Sequence, residues 1–79
     1  MKEAVKRTEY YLAQHLRMRR KEYAEKLTMA QLEQRLGTNK GCVGKIENNH
    51  RRIDLCEFIY YCQSLNLDPV KELRVIAAY

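Results

Sequence analysis

Residues that make turns are scarce in this chain, which has 3 glycines, 1 proline and no tryptophan among 79 residues. All-β folds need Gly and Pro at many turns, so the scarcity favours an all-α fold, in a single domain over residues 1–79. No apolar run approaches the ~18 residues of a membrane-spanning helix. Residues 1–4 also lack the apolar start of a secretory signal, so we expect a cytoplasmic protein that does not enter a membrane.

Cysteine is scarce too, and its 3 copies do not have the pattern of a disulfide framework. Cys56 and Cys62 lie in one helical pattern, about 9 Å apart along the axis, which is too far for a bridge. The spacings C-x-x-C and H-x-x-x-H are absent, so we expect no metal ion and no cofactor. No nucleophile–base pair or phosphate-binding glycine loop can be read, so the chain does not have the pattern of an enzyme.

Charge is distributed unevenly along the chain. Residues 1–53 carry 13 basic and 6 acidic side chains, a net charge of +7, whereas residues 54–79 carry 2 basic and 4 acidic side chains, a net charge of −2. One part of the molecule is therefore suited to anions. This asymmetry favours a nucleic-acid partner, or less strongly an anionic membrane surface.

Periodicity and capping signals predict five helices joined by short connections. The first covers about residues 2–25, where no Gly or Pro occurs. Thr28 and Gln31 have the spacing of a capping box at the start of the second helix, and Gly37 supplies a left-handed residue at its end.

The remaining helices have equally local signals. Asn39 is predicted to cap a third helix at about residues 40–48, which Asn49 ends. Asp54 is predicted to cap the fourth helix, and Asp68 the fifth, with the proline at its first position. The fourth helix has one apolar stripe and ends at Asn66, and the fifth continues the apolar pattern: Leu55, Phe58, Ile59, Cys62 and Leu65, then Val70, Leu73 and Ile76.

The second and third predicted helices are short and meet at a tight turn, Gly37-Thr38-Asn39. This is the arrangement of a helix-turn-helix, here at about residues 28–48. In such a motif the second helix enters the DNA major groove while the first crosses the backbone. Basic residues occupy the positions where contacts are needed: Lys40, Lys45, His50, Arg51 and Arg52.

Residues 27–73 carry a family resemblance through a set of matching positions: Leu27-Thr28, Leu32, Leu36-Gly37, Val43, Lys45-Ile46-Glu47, Arg51-Arg52, Asp54, Glu57-Phe58 and Leu67-Asp68-Pro69. On these positions the chain resembles the Cro/C1-type (Xre-like) helix-turn-helix repressors, and in particular a subgroup of small phage and bacterial regulators. The resemblance implies a five-helix lambda-repressor-like DNA-binding domain.

The resemblance also implies a role for each matching position. Arg51 matches a phosphate-contacting site in the loop after the recognition helix. Glu47 matches a structural acid that pairs with an arginine of helix 1, here Arg20. The DNA-contacting set comprises the start of the first motif helix, the recognition helix and the loop after it: Thr28, Met29, Asn39, Lys40, Gly41, Cys42, Gly44, Lys45, His50, Arg51 and Arg52.

Several positions depart from the family pattern. Glu33 stands where a small Ala is usual, so we expect the two motif helices to cross slightly differently. Gly41 and Gly44 replace side chains that often touch bases, which leaves Lys40 and Lys45 as the main readers of sequence. Cys42 has two open interpretations, a redox-sensitive thiol or a small contact residue.

These features together predict a sequence-specific regulator of phage or mobile-element size, a repressor that binds a palindromic operator through the major groove as a C2 homodimer. Apolar residues remain unexplained by the motif core at the C-terminus, and they predict the dimer interface there. The N-terminal part of helix 1, with Val5 and Leu12, is a further candidate. The predicted interface residues are Val75, Ile76 and Tyr79.

Two alternatives belong to other functional classes. The chain is also compatible with the antitoxin of a toxin–antitoxin pair that represses its own promoter, which would co-purify with a second small protein. A further alternative is an interaction protein whose basic face has no specific role in binding DNA. Such a protein would bind every duplex alike and lose that binding at high salt.

Overall fold

The computed structural model describes residues 1–23 and 26–78. Over these residues the chain is helical, with no strand, so the prediction of an all-α fold is confirmed. No helix in the described ranges is both long enough and apolar enough to cross a membrane. The helices are α1 (Lys2–Glu22), α2 (Met29–Leu36), α3 (Cys42–Glu47), α4 (Leu55–Ser64) and α5 (Pro69–Ala77).

Three of the helices begin at the predicted capping residues. The Thr28 hydroxyl accepts a hydrogen bond from the backbone N–H of Gln31, whose side chain accepts one from the Thr28 N–H in return. Asp54 and Glu57 form the same reciprocal box at the start of α4. Asp68 caps α5 directly before the proline at its first position. Each cap satisfies backbone donors that the helix leaves unpaired.

Three helices also end as predicted, at residues in the left-handed conformation. Gly37, Asn49 and Asn66 have φ angles of +68°, +59° and +56° and follow α2, α3 and α4. At each end, two backbone N–H groups return to carbonyls of the last turn, which is the pattern of a Schellman motif. The short connections therefore leave each helix in a fixed direction.

The start of α3 differs from the prediction. A helix over residues 40–48 was expected with Asn39 as its cap, but α3 begins at Cys42 and its N-cap is Gly41. Gly41 has a φ of +86°, a left-handed conformation that interrupts helical geometry and that glycine adopts without strain. The turn between α2 and α3 is consequently longer than the predicted turn, and α3 is shorter than the predicted helix.

Glu33 of α2 supplies the side-chain cap that Gly41 lacks. The Glu33 side chain is buried, and its Oε2 accepts a hydrogen bond from the backbone N–H of Val43 at 2.9 Å. A carboxylate is favourable at this position because the unpaired N–H groups give the start of a helix a partial positive charge. Glu33 thus joins α2 to α3 across the turn.

The core is one apolar cluster to which all five helices contribute. The expected stripe of α4 is only partly inside, since Leu55 is 64% exposed. Of the apolar residues of α5, Ile76 is buried while Val70 and Leu73 are exposed. The cluster consists of Leu16, Leu27, Leu32, Val43, Ile46, Phe58, Tyr61, Cys62, Leu65 and Ile76.

Helix α1 packs against both α3 and α5 along one side of the molecule. It ends at Glu22 with Tyr23 as its C-cap, and the last predicted helical positions, 24 and 25, lie outside the described residues. A polar contact holds α5 to α1, because His15 Nε2 lies 2.7 Å from Glu72 Oε1 and both side chains are buried. Arg19 Nε lies 3.0 Å from the same oxygen. Helix α1 therefore supports α3 and α5 directly.

Candidate nucleic-acid interface

Several residues of the predicted DNA-contacting set line one shallow depression on the surface. Its lining comes from the α2–α3 turn, from α3, from the loop after α3 and from Glu57 of α4. Lys40 and Lys45 are both exposed, and the cavity between them is open to solvent. The predicted residues that the fold gathers here are Asn39, Lys40, Cys42, Lys45 and Arg51.

The two glycines of this region lie in different surroundings. A Cβ built on Gly41 would meet no atom within 4 Å, so its positive φ alone requires glycine. A Cβ built on Gly44 would lie 3.5 Å from the Sδ atom of Met29, so Gly44 is turned toward α2. Met29 is half-buried and packs against the core, while Thr28 is exposed with its hydroxyl occupied by the α2 cap.

Arg51 is fixed by an ion pair that the sequence analysis did not identify. One of its terminal guanidinium nitrogens lies 2.7 Å from Glu57 Oε2. The hydrogen bond between them raises the pKa of Arg51 and lowers the pKa of Glu57 below its ordinary value. The Arg51 side chain remains 40% exposed, so a phosphate can reach the guanidinium beside Glu57.

Arg52 is also paired with a carboxylate, in this case from α1. Its guanidinium lies 2.6 Å from Glu9 Oε1, and 76% of the Arg52 side chain is exposed. His50 is exposed, and its backbone N–H donates to the Lys45 carbonyl at the end of α3. The loop after α3 therefore carries three predicted contact residues on its outer side, and its two arginines are each paired with a glutamate.

The buried ion pair between Arg20 and Glu47 has bidentate geometry. Arg20 Nε donates to Glu47 Oε2 at 2.7 Å, and a terminal nitrogen donates to Glu47 Oε1 at 2.9 Å. The two side chains are 8% and 0% exposed. The hydrogen bond to Glu47 raises the pKa of Arg20, so the guanidinium stays charged. The pair joins the last turn of α1 to the last residue of α3.

Tyr61 of α4 completes this buried network, and sequence reasoning did not assign it a polar role. Its hydroxyl lies 2.8 Å from Glu47 Oε2 and 2.9 Å from the Leu16 carbonyl oxygen. Burial, and next the charge of Glu47, raise the pKa of Tyr61. Tyr61 is fully buried whereas its neighbour Tyr60 is 66% exposed, because adjacent positions of a helix point in different directions.

The predicted dimer residues are separated by the fold. Val75 is 46% exposed, whereas Ile76 is 6% exposed and belongs to the apolar core, so Ile76 offers almost no surface to a partner. The helical period explains the difference between the two residues. Ile76 lies one turn after Glu72 on the buried face of α5, where Glu72 contacts His15 of α1, whereas Val75 points away from that face. Tyr79 lies outside the described residues.

The three thiols are free and lie in different environments. Cys56 is exposed and Cys42 is half-buried at the start of α3. Cys62 is buried, and burial raises its pKa to about 11, so it remains a protonated thiol at neutral pH. Within residues 1–23 and 26–78, no three His, Cys, Asp or Glu side chains are grouped to hold a metal ion.

The surface around α3 presents cations outward and keeps most of its carboxylates inside or in ion pairs. Comparison of the chain with known protein families, curated proteins and solved structures gives no match. The residues of α2, α3 and the loop after α3 are therefore the basis for inferring a function.

Proposed function

We propose that this protein is a sequence-specific regulator that binds double-stranded DNA, and that it represses transcription by occupying an operator. The observation that carries the proposal is the set of exposed cations, Lys40, Lys45 and Arg51, which share one depression at α3. In the proposal, α2 and α3 form a helix-turn-helix of the Cro/C1 type within a lambda-repressor-like domain. Helix α3 enters the major groove.

The way in which α3 is held supports this role. An isolated helix of six residues is unstable in water, so α3 depends on its surroundings for its shape. Val43 and Ile46 are buried in the core, Glu33 caps one end, and Glu47 is paired with Arg20 at the other. A helix fixed at both ends presents its outer side chains to DNA in a defined geometry, which specificity requires.

The proposed contacts divide into two kinds. Lys40 and Lys45, with Asn39 beside them, reach base edges, where lysine prefers the O6 and N7 acceptors of guanine. Arg51 lies in the loop after α3 and binds a phosphate, which positions the protein without reading sequence. Thr28, at the start of α2, belongs to the same proposed DNA-contacting set, because the first helix of the motif crosses the DNA backbone.

A single α3 reads only a few base pairs, so the proposal includes a C2 homodimer on a palindromic operator. Helix α5 supports it with an exposed stripe of apolar residues, Val70, Leu73 and Ala77, at the i, i+3, i+7 spacing of one helix face. Val70 and Leu73 are 58% and 43% exposed, which is unusual for a small protein without use for that surface. This stripe replaces the interface that was predicted at Ile76.

Selection of bound sequences from random duplex DNA tests the proposal. We expect enrichment of one palindrome whose half-sites are about 34 Å apart, one turn of the duplex. A Lys40→Ala, Lys45→Ala double variant in the same selection should lose the enriched sequence. Binding of all duplexes alike, lost at high salt, would instead indicate that the basic surface is incidental.

A further inference from the structure

A groove with a mainly apolar lining runs beside the first half of α1 and shares Arg51 with the depression at α3. One wall is a stripe of α1 that includes Val5 and Leu12, and the other is the end of α3 with the loop to α4, including Ile46 and Ile53. Its volume is about 460 Å³, within the range of small-molecule sites. Its polar lining residues are Thr8, Glu9, Asn49, Arg51 and Arg52.

The charged side chains in the lining of the groove favour an anion as its ligand. Arg51 and Arg52 both line the groove, and Glu9 is the acidic residue among its lining residues. Glu9 already forms an ion pair with the guanidinium of Arg52. Because the Arg52 side chain is 76% exposed, a second carboxylate can also reach the guanidinium. A ligand that meets this groove therefore combines an apolar body with one negatively charged end.

The volume of the groove decides between a thin ligand and a helix. An α-helix with its side chains is about 10 Å across, so a volume of 460 Å³ holds little more than one turn of it. An unbranched acyl chain is much thinner and can follow the stripe of α1 along its length. The Ala13 side of the groove is closed, since Ala13 and Ile46 are buried beneath it.

We propose that this groove binds a free medium-chain fatty acid, with its acyl chain between α1 and the loop after α3 and its carboxylate at Arg52. The acyl chain gains affinity by leaving water, and the carboxylate gains a charge-assisted hydrogen bond from the guanidinium. Such a ligand would compete with Glu9 for Arg52 and would add negative charge beside Arg51.

The proposal has a regulatory consequence that rests on the proposed function. Arg51 and Arg52 line the groove and also belong to the predicted DNA-contacting set. A carboxylate at Arg52 would repel the phosphates that these arginines attract. The fatty acid would therefore weaken DNA binding without occupying the depression between Lys40 and Lys45.

Calorimetric titration of the intact protein with monomeric decanoate, in the absence of DNA, tests the site itself. We expect saturable binding of one decanoate per chain. Octanoate, which is two methylene groups shorter, should bind about tenfold more weakly, the equivalent of ~1.4 kcal/mol. Decanol, which has the same tail and no charge, should also bind about tenfold more weakly.

Two pairs of variants identify the groove as the site. Val5→Ser should weaken decanoate and decanol alike by about threefold, whereas Leu55→Ser, the same kind of change at a more exposed residue of α4, should weaken neither. Arg52→Gln should weaken decanoate about fivefold and leave decanol unchanged, whereas Arg74→Gln on α5 should change neither. Unsaturable binding, equal affinities for decanoate and decanol, or insensitivity to both Val5→Ser and Arg52→Gln would overturn the proposal.

A final titration with duplex DNA separates this proposal from the proposed function. Saturating decanoate should weaken duplex binding by the wild type, and at the same concentration it should act less on Val5→Ser. Decanoate binding without any duplex binding would contradict the proposed function and leave the groove site standing. Duplex binding without any decanoate binding would overturn the groove site alone. Binding only to anionic lipid vesicles, and not to monomeric decanoate, would likewise overturn it.

Discussion

At the residue scale, Glu47 and Glu57 each form an ion pair with an arginine, but one pair is buried and the other is at the surface. Glu47 lies in the interior and holds Arg20 there, so the pair serves the connection between α1 and α3. Glu57 lies at the surface and holds Arg51 in a place where a phosphate can compete for it. The first acid determines the position of α3, and the second lowers the charge that α3 and its loop present.

Glu47→Gln should destabilise the protein by about 3 kcal/mol, because the charge of Arg20 would remain buried without a counter-ion. Urea unfolding measures the effect, and the DNA affinity of the folded fraction should stay the same. Glu22→Gln is the matched control, since it breaks an exposed pair with Arg19 and should cost less than ~1 kcal/mol. Equal stability of the two variants would show that the Arg20–Glu47 pair does not hold α3.

Three substitutions distinguish base contacts from phosphate contacts. Lys45→Ala should weaken binding to the selected operator by about 1–3 kcal/mol and relax preference at one or two base pairs. Arg51→Ala should weaken all duplexes alike and reduce the salt slope by about 1. Glu57→Gln should tighten all duplexes, by up to about fivefold, because it frees Arg51 while glutamine still caps α4. Fluorescence anisotropy over a range of salt measures all three, and uniform weakening by the Lys45 and Arg51 changes would contradict the division.

Sequence reasoning reached these residues unequally. The Arg20–Glu47 pair was predicted from the family resemblance, in which the acid at the position of Glu47 pairs with an arginine of helix 1. The Arg51–Glu57 and Arg52–Glu9 pairs were not predicted, since each joins a loop residue to a helix at a spacing that no local rule describes. Glu33 was noted only as a departure, because a cap supplied by a neighbouring helix depends on how the two helices cross.

At the scale of elements, the two glycines of the α3 region differ, because the backbone conformation requires a glycine at Gly41 and not at Gly44. Gly41→Ala should cost about 1–2 kcal/mol, because alanine is strained at a φ of +86° although space is available for its methyl group. Gly44→Ala should stabilise the protein by up to ~1 kcal/mol, because the residue is inside α3 and its Cβ would make an ordinary contact with Met29. Thermal unfolding compares the two variants, and a change of the same sign in both would contradict this account.

The helix boundaries show which parts of an element the sequence determines locally. The caps at Thr28, Asp54 and Asp68 and the left-handed ends at Gly37, Asn49 and Asn66 were all predicted, because each uses residues within one turn of the boundary. The predicted start of α3 was wrong. Asn39 has the chemistry of a helix cap, but the left-handed conformation of Gly41 interrupts the helix between Asn39 and Cys42. The exposure of Leu55 and Leu73 was missed, since periodicity gives a face but not the depth to which it is covered.

At the scale of the whole molecule, the exposed stripe of α5 is where we expect two subunits to meet. Val70→Ser combined with Leu73→Ser should give a monomer of unchanged helicity, because both side chains are outside the core. Operator affinity should fall by about a hundredfold, since two half-sites would no longer be bound together. Sedimentation equilibrium, circular dichroism and operator titration measure the three effects.

The matched control for this prediction changes two equally exposed residues of α4, Leu55→Ser with Tyr60→Ser, and should leave the dimer intact. Ile76→Ser should instead lower stability by about 2 kcal/mol or more, because Ile76 is in the core of each subunit. A wild-type protein that stays monomeric at micromolar concentration, both alone and on its operator, would contradict the dimer.

The cap that Glu33 provides for α3 has a consequence for how this protein can diverge. Glu33 and Glu47 hold α3 from inside, and within residues 1–23 and 26–78 the exposed side chains of Asn39, Lys40 and Lys45 form no hydrogen bond or ion pair. Mutations at these three positions can therefore accumulate with little loss of foldable variants. A lineage could acquire a new target sequence by drift at these positions alone, and a library randomised there should yield mostly folded members with different preferences.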